Sequence, residues 1–98
     1  MTITKKQEGS KLTIALEGRL DTTTAPKLDA DLNSSLTGVK ELYLDLADLA
    51  YLSSAGLRSI LSAQKKMNRQ GKMEVHHVCE TIMEVFELTG FVDILTIR

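Results

Sequence analysis

The sequence predicts an α/β fold, a mixed β-sheet with an N-terminal antiparallel hairpin and later parallel strands joined by helices. Three observations carry that reading. Behind a Glu8-Gly9-Ser10 turn signal, Leu12, Ile14 and Leu16 alternate with Thr13, Ala15 and Glu17, as in a half-buried hairpin strand. Apolar residues then recur at helical spacing in three separate segments. Short apolar runs lie between those segments, and such alternation implies right-handed crossovers between parallel strands.

Taken in order, residues 3–7 form a short charged strand that pairs with residues 12–16, and Gly18 to Asp21 ends the second strand. One of Thr22, Thr23 and Thr24 is expected to cap the first helix, in which Pro26 is tolerated because it falls in the first turn. Ala25, Leu28, Leu32 and Leu36 give that helix a narrow apolar stripe, and Gly38 closes it. Leu42, Tyr43, Leu44 and Leu46 form a nearly unbroken apolar run, which predicts a central strand covered on both faces, followed by a loop from Asp45 to Ser54. Leu57, Ile60, Leu61, Ala63 and Met67 then mark a second helix starting near Ser53, with Gly71 beyond the basic residues Lys65, Lys66 and Arg69 at its end. Residues 72–78 read as another strand. Thr81 and Glu84 have capping-box spacing ahead of the stripe Ile82, Val85 and Phe86, Gly90 ends that third helix, and residues 91–95 read as a last short strand.

Ninety-eight residues are enough for one domain spanning 1–98, and a 43% hydrophobic content supplies its core. Twelve basic against 13 acidic residues leave a formal net charge of −1, so there is no global field to gather nucleic acid or an anionic membrane. The single cysteine, Cys79, has no disulfide partner, and the N-terminal residues lack the apolar core of a signal peptide. A cytoplasmic protein is expected, without direct nucleic-acid or membrane binding.

The candidate site is the join between the Leu42–Leu46 strand and the second helix, where two serines, Ser53 and Ser54, sit side by side. One serine suffices as an N-cap. The other hydroxyl then lies in the first turn, where an added phosphate would meet unpaired backbone amides and the positive end of the helix dipole. Gly56 in that turn is expected to let another chain approach. Ligands of such sheets gather outside the carboxyl ends of parallel strands, so Asp21, Thr22 and Thr23 open on the same end if the two strands run parallel. Arg58, four residues beyond Ser54, has the spacing to face a phosphate there.

Glu17-Gly18-Arg19-Leu20-Asp21, Leu44-Asp45-Leu46, Tyr51-Leu52-Ser53-Ser54-Ala55-Gly56-Leu57 and Leu88-Thr89-Gly90-Phe91, in that order and spacing, resemble a STAS domain of the bacterial anti-sigma factor antagonists over nearly the whole chain. The resemblance implies a binding module. Its unmodified form would bind an anti-sigma factor serine kinase and release a sigma factor, phosphorylation of Ser54 would end the complex, and a serine phosphatase would restore it. It places Asp21 at the family's acidic position contacting the kinase or its nucleotide; Thr22, Thr23, Ser53, Gly56 and Arg58, from their places around that site, are expected as further partner or nucleotide contacts. Family members usually carry aspartate where this chain has Ser53. An alternative use of the same fold is a STAS scaffold or nucleotide-sensing module that is not phosphorylated.

No cofactor, metal site or intrinsic catalysis is expected. A nucleophilic Ser54 would need a base, and His76 and His77 fall near the end of a later strand, with no nucleophile elbow or phosphate loop in the chain. With Cys79 the histidines make three crowded residues and no zinc pattern. Met67, Met73 and Met83 read as core, Asp45 and Asp48 as turn or cap residues, and Lys65, Lys66, Arg69 and Lys72 as a solvated helix end.

Overall fold

The structure, a computed structural model, describes residues 1–98. Its elements are strands β1 (Thr2–Glu8) and β2 (Lys11–Leu20), helix α1 (Ala25–Ser35), strand β3 (Glu41–Leu52), helix α2 (Ser54–Gln70), strand β4 (Lys72–His76) and helix α3 (Glu80–Thr89), then a 3-10 turn at Phe91–Asp93. The sheet runs in the order β1-β2-β3-β4. β1 and β2 are antiparallel, and β2, β3 and β4 are mutually parallel, as the sequence predicts. No helix is long and apolar enough to cross a membrane.

The core lies on one face of the sheet only, which corrects the expectation of a doubly covered central strand. Leu12, Ile14 and Leu16 of β2, Leu42, Leu44 and Leu46 of β3, and Met73 and Val75 of β4 join the buried stripes of all three helices in one cluster. Residues of the other parity are half-exposed or exposed, and apart from small alanines such as Ala15 they are polar or amphipathic. On this open face the Lys11 ammonium lies 4.6 Å from the centre of the Tyr43 ring, Tyr43 stacks 4.8 Å from His76, and His76 hydrogen-bonds Glu74 at 2.9 Å. The apolar run misled because Tyr43 fits a pleated wet face as well as a dry one. Met67 and Met73 are buried and Met83 is half-buried.

β3 is also longer than the run that announces it. It continues to Leu52, so the expected Asp45–Ser54 loop shrinks to the single residue Ser53. Pairing with β2 begins at Lys11 with Glu41 and ends at Leu20 with Leu52, after two register shifts that each give β3 one extra residue. The bulges change the spacing of buried residues from two to three, through Leu46, Leu49 and Leu52. Asp45 and Asp48 therefore lie within the strand. Asp45 accepts from the Ala47 amide at 3.0 Å and pairs with His77 at 3.0 Å.

Three smaller expectations are corrected. β4 stops at His76, because His77 has φ +58 and leaves the extended region. Cys79, not Thr81, is the N-cap residue of α3, so Thr81 and Glu84 lie inside the helix and form no capping box. Residues 91–95 form no strand: Phe91–Asp93 make the 3-10 turn, and the sheet gains only a bridge between Val75 and Ile97. Gly90 does end α3, in the left-handed conformation.

Gly71 ends α2 for a reason the charge pattern does not contain. Its backbone is extended, and a Cβ there would lie 1.9 Å from the Lys40 carbonyl oxygen, which accepts the Lys72 amide at 2.9 Å. Gln70 fastens the same corner by donating to the carbonyls of Leu36 and Val39 at 2.6 and 2.7 Å. Gly71→Ala is expected to lower the unfolding free energy in urea by about 3 kcal/mol, the upper range of overpacking costs. A loss under about 1 kcal/mol would mean that the Lys40 segment moves aside freely.

Candidate functional site

Parallel pairing of β2 and β3 sets the site. Leu20 and Leu52 are register partners at the carboxyl ends of the two strands, and the Ser53 amide donates to the Leu20 carbonyl at 2.9 Å. Asp21 and Ser53 therefore leave the sheet side by side, which fulfils the condition on which the sequence placed them together.

Ser53 is the N-cap of α2. It is extended, and its hydroxyl accepts the Gly56 amide at 3.4 Å, while the Leu57 amide opens the helical ladder by donating to the Ser53 carbonyl at 2.9 Å. The capping duty falls on Ser53 alone. Ser54 is the first helical residue and is exposed, and the amides of Ser54 and Ala55 have no acceptor within the helix. Gly56 is buried, and a Cβ there would come 2.7 Å from side-chain atoms of Leu20 and Leu52. Its close approach within the fold is thus to its own sheet.

The turn after β2 is organised by Asp21. Its Oδ1 accepts from the Thr23 hydroxyl at 2.7 Å and from the amides of Thr23 and Thr24 at 3.0 and 3.2 Å. Thr24 occupies the N-cap position of α1 but its hydroxyl does not cap the helix. That hydroxyl instead accepts the Asp21 amide and donates to the Arg19 carbonyl, both at 2.8 Å, so the expected threonine cap is replaced by a turn closed across its base. Thr22 and Thr23 are exposed on this turn.

Arg58 is exposed one turn along α2 and lines a groove of about 420 Å³ between α1 and α2, with Thr22, Ala55, Asp29 and Lys66. The groove gathers Thr22 and Arg58 from the two loop-helix corners. Two further residues, each inside a motif quoted above but with no signal that they meet, complete the strand ends. Arg19 and Tyr51 are register partners one step before Leu20 and Leu52, and the Arg19 guanidinium stacks 4.1 Å from the centre of the Tyr51 ring. Their meeting depends on both β3 bulges. The histidines lie elsewhere: His77 is bonded to Asp45, seven strand positions before Leu52, a separation of roughly 20 Å at strand spacing.

The Thr23 hydroxyl, ahead of the neighbouring amides, holds the Asp21 carboxyl below its ordinary range, against a smaller opposing effect of desolvation. A depressed folded-state pKa contributes stability that is complete above the unfolded value and disappears as pH falls through the folded one. Urea unfolding should therefore show stability declining from the ordinary aspartate range downward, and Asp21→Asn should flatten that decline. An unchanged pH profile in Asp21→Asn would remove the charge of Asp21 from the account of this turn.

Known proteins share this fold, and some of them part of its sequence. The STAS domain family model matches residues 2–98. BtrV of Bordetella bronchiseptica is 32% identical over 99 residues, covering 99% of this chain and 85% of that protein. The anti-sigma-B factor antagonist of Listeria monocytogenes is 31% identical over 98 residues, covering 96% of this chain and 84% of that protein. Among solved structures, an anti-sigma factor antagonist from Mycobacterium paratuberculosis superposes with a TM-score of 0.90 at 19% identity, covering 99% of this chain and 84% of that one. The antagonist SpoIIAA in its unphosphorylated form gives 0.86 at 16% identity, covering 99% and 88% of the two chains. Bacillus SpoIIAA in its phosphorylated form gives 0.78 at 16% identity, covering 99% and 91%. The chain belongs to the STAS domain family, alongside the anti-sigma factor antagonists.

Proposed function

We propose that this chain, as one domain over residues 1–98, is a cytoplasmic anti-sigma factor antagonist whose docking is switched by phosphorylation of Ser54. Unmodified, it binds an anti-sigma factor serine kinase and frees a sigma factor. Phosphorylated, it lets go until a serine phosphatase restores the hydroxyl. It performs no chemistry of its own. The observation that carries this reading is the division of labour at the start of α2, where Ser53 holds the cap and Ser54 stands exposed beside the Asp21 turn. The names of its relatives support the antagonist role, and the existence of SpoIIAA in both phosphorylation states supports a switch of this kind.

The energetics favour release. Phosphorylation puts about 1.5 to 2 negative charges on a neutral hydroxyl. The helix N-terminus returns only about 0.3 to 1 kcal/mol at an exposed position, whereas like charges juxtaposed across an interface cost several kcal/mol. Asp21, ionised on the adjacent strand end, adds to the repulsion felt by an acidic partner. Serine at position 53 suits the arrangement, since serine and aspartate serve equally well as N-caps.

Incubation with the kinase and ATP, followed by mass mapping, should find one phosphate, on Ser54. Ser54→Ala should bind the kinase persistently and Ser54→Asp poorly. Intact binding with no modification would favour the scaffold or nucleotide-sensing use of the fold, and equal affinity of both variants with the parent would refute the charge mechanism.

Arg58 partly stabilises the phosphorylated state in this reading, through its four-residue spacing from Ser54. Arg58→Ala should speed dephosphorylation and reduce the affinity lost on phosphorylation. If both are unchanged, Arg58 is simply a solvated groove residue.

A further inference from the structure

The exposed strand ends beside Ser54 carry one cation in a prepared geometry. Arg19 lies 4.1 Å over the Tyr51 ring, its side chain is 63% exposed, and its Nε is 3.6 Å from Asp21 Oδ2. Tyr51 is itself 41% exposed, on a sheet end otherwise bounded by buried leucines. Asp21 does not use up the guanidinium. Its Oδ1 is taken by three donors of its own turn, and its Oδ2 meets Arg19 only at the Nε edge and beyond ordinary hydrogen-bond length. The terminal nitrogens of Arg19 remain available, and a guanidinium seated over an aromatic ring keeps the planar fork that recognises a carboxylate bidentately. Less side-chain freedom is lost on docking when the fork is already stacked. Arginine and tyrosine are also the residue types that most often dominate binding energy at interfaces.

We infer that Arg19, shelved on Tyr51, is the specificity-determining contact at the Ser54 end of the sheet and takes a carboxylate presented by the docking protein. This rests on the reading of that face as the kinase-docking surface and names the chemistry of its partner. Register puts Arg19 two residues before Asp21 and Tyr51 two before Ser53, so the contact lies on the same sheet end as the modified serine. A kinase offering an acidic side chain here would meet a fixed cation before phosphorylation. Afterwards the docking protein would meet a phosphate at that same sheet end.

The test is affinity for the purified kinase that phosphorylates Ser54, measured for the parent, Arg19→Glu, Arg19→Lys, Tyr51→Leu and Ser54→Asp. Arg19→Glu should weaken binding at least about thirtyfold, consistent with costs of breaking interfacial charge pairs, while Arg19→Lys, which keeps the charge but loses the fork, should weaken it about threefold to tenfold. Tyr51→Leu should fall between Arg19→Lys and the parent. In steady-state phosphorylation, Arg19→Glu should raise KM for this protein with little change in kcat. Thermal unfolding of each variant within a few degrees of the parent confirms that the fold is intact. Arg19→Glu binding within twofold of the parent, with Ser54→Asp still defective, overturns the role of Arg19 and leaves the docking surface standing. A parent protein that binds no such kinase overturns both.

Discussion

The hydrogen bond from the Ser53 amide to the Leu20 carbonyl, closing the parallel ladder of β2 and β3, is the contact on which the rest depends. It brings two chain corners, separated by more than thirty residues of sequence, to one end of the sheet. Gly56 tightens the same junction, since only a residue without a Cβ lets the first turn of α2 settle on Leu20 and Leu52. The helix start is thereby fixed against apolar side chains from below while its outer surface stays in water. A hydroxyl held this way is positioned by the core without being buried in it.

Two adjacent serines then differ in what the fold asks of them. Ser53 turns inward to the Gly56 amide and fixes where the helix begins, and Ser54 has no such duty. The Asp21 turn supplies a neighbouring negative charge whose position is set by donors from Thr23 and Thr24. Fixed polar groups of this kind cost little further ordering when a partner arrives. Both corners of the site are thus tied by hydrogen bonds within the fold, and on the proposed reading a change of charge at Ser54 would act on a surface already set.

Much of this was legible in the sequence. Alternation around Leu12, Ile14 and Leu16 marked the hairpin, fourfold spacing of Leu28, Leu32 and Leu36 marked α1, and Ser53, Ser54 and Gly71 bracketed α2 within a residue. What escaped shares a physical cause, since it depends on pairing between distant segments. The two bulges of β3 shift its buried residues to a spacing of three, which no single-strand period contains, so a strand of 12 residues read as a short run and a long loop. The open sheet face was hidden by Tyr43, whose ring suits either environment. The basic neighbours of Gly71 mark it as a helix stop, while its actual constraint is the Lys40 carbonyl. Capping chemistry at Thr81 and Glu84 yielded to the position of Cys79 at the head of α3. The pairing of Arg19 with Tyr51 was out of reach for the same reason as the bulges, because it exists only once the register is known.

The most direct test is calorimetric titration of the kinase with two forms of the purified protein, one unmodified and one stoichiometrically phosphorylated on Ser54. A penalty of several kcal/mol from like-charge juxtaposition predicts that phosphorylation weakens binding by about a hundredfold or more. Equal affinity of the two forms would contradict the account.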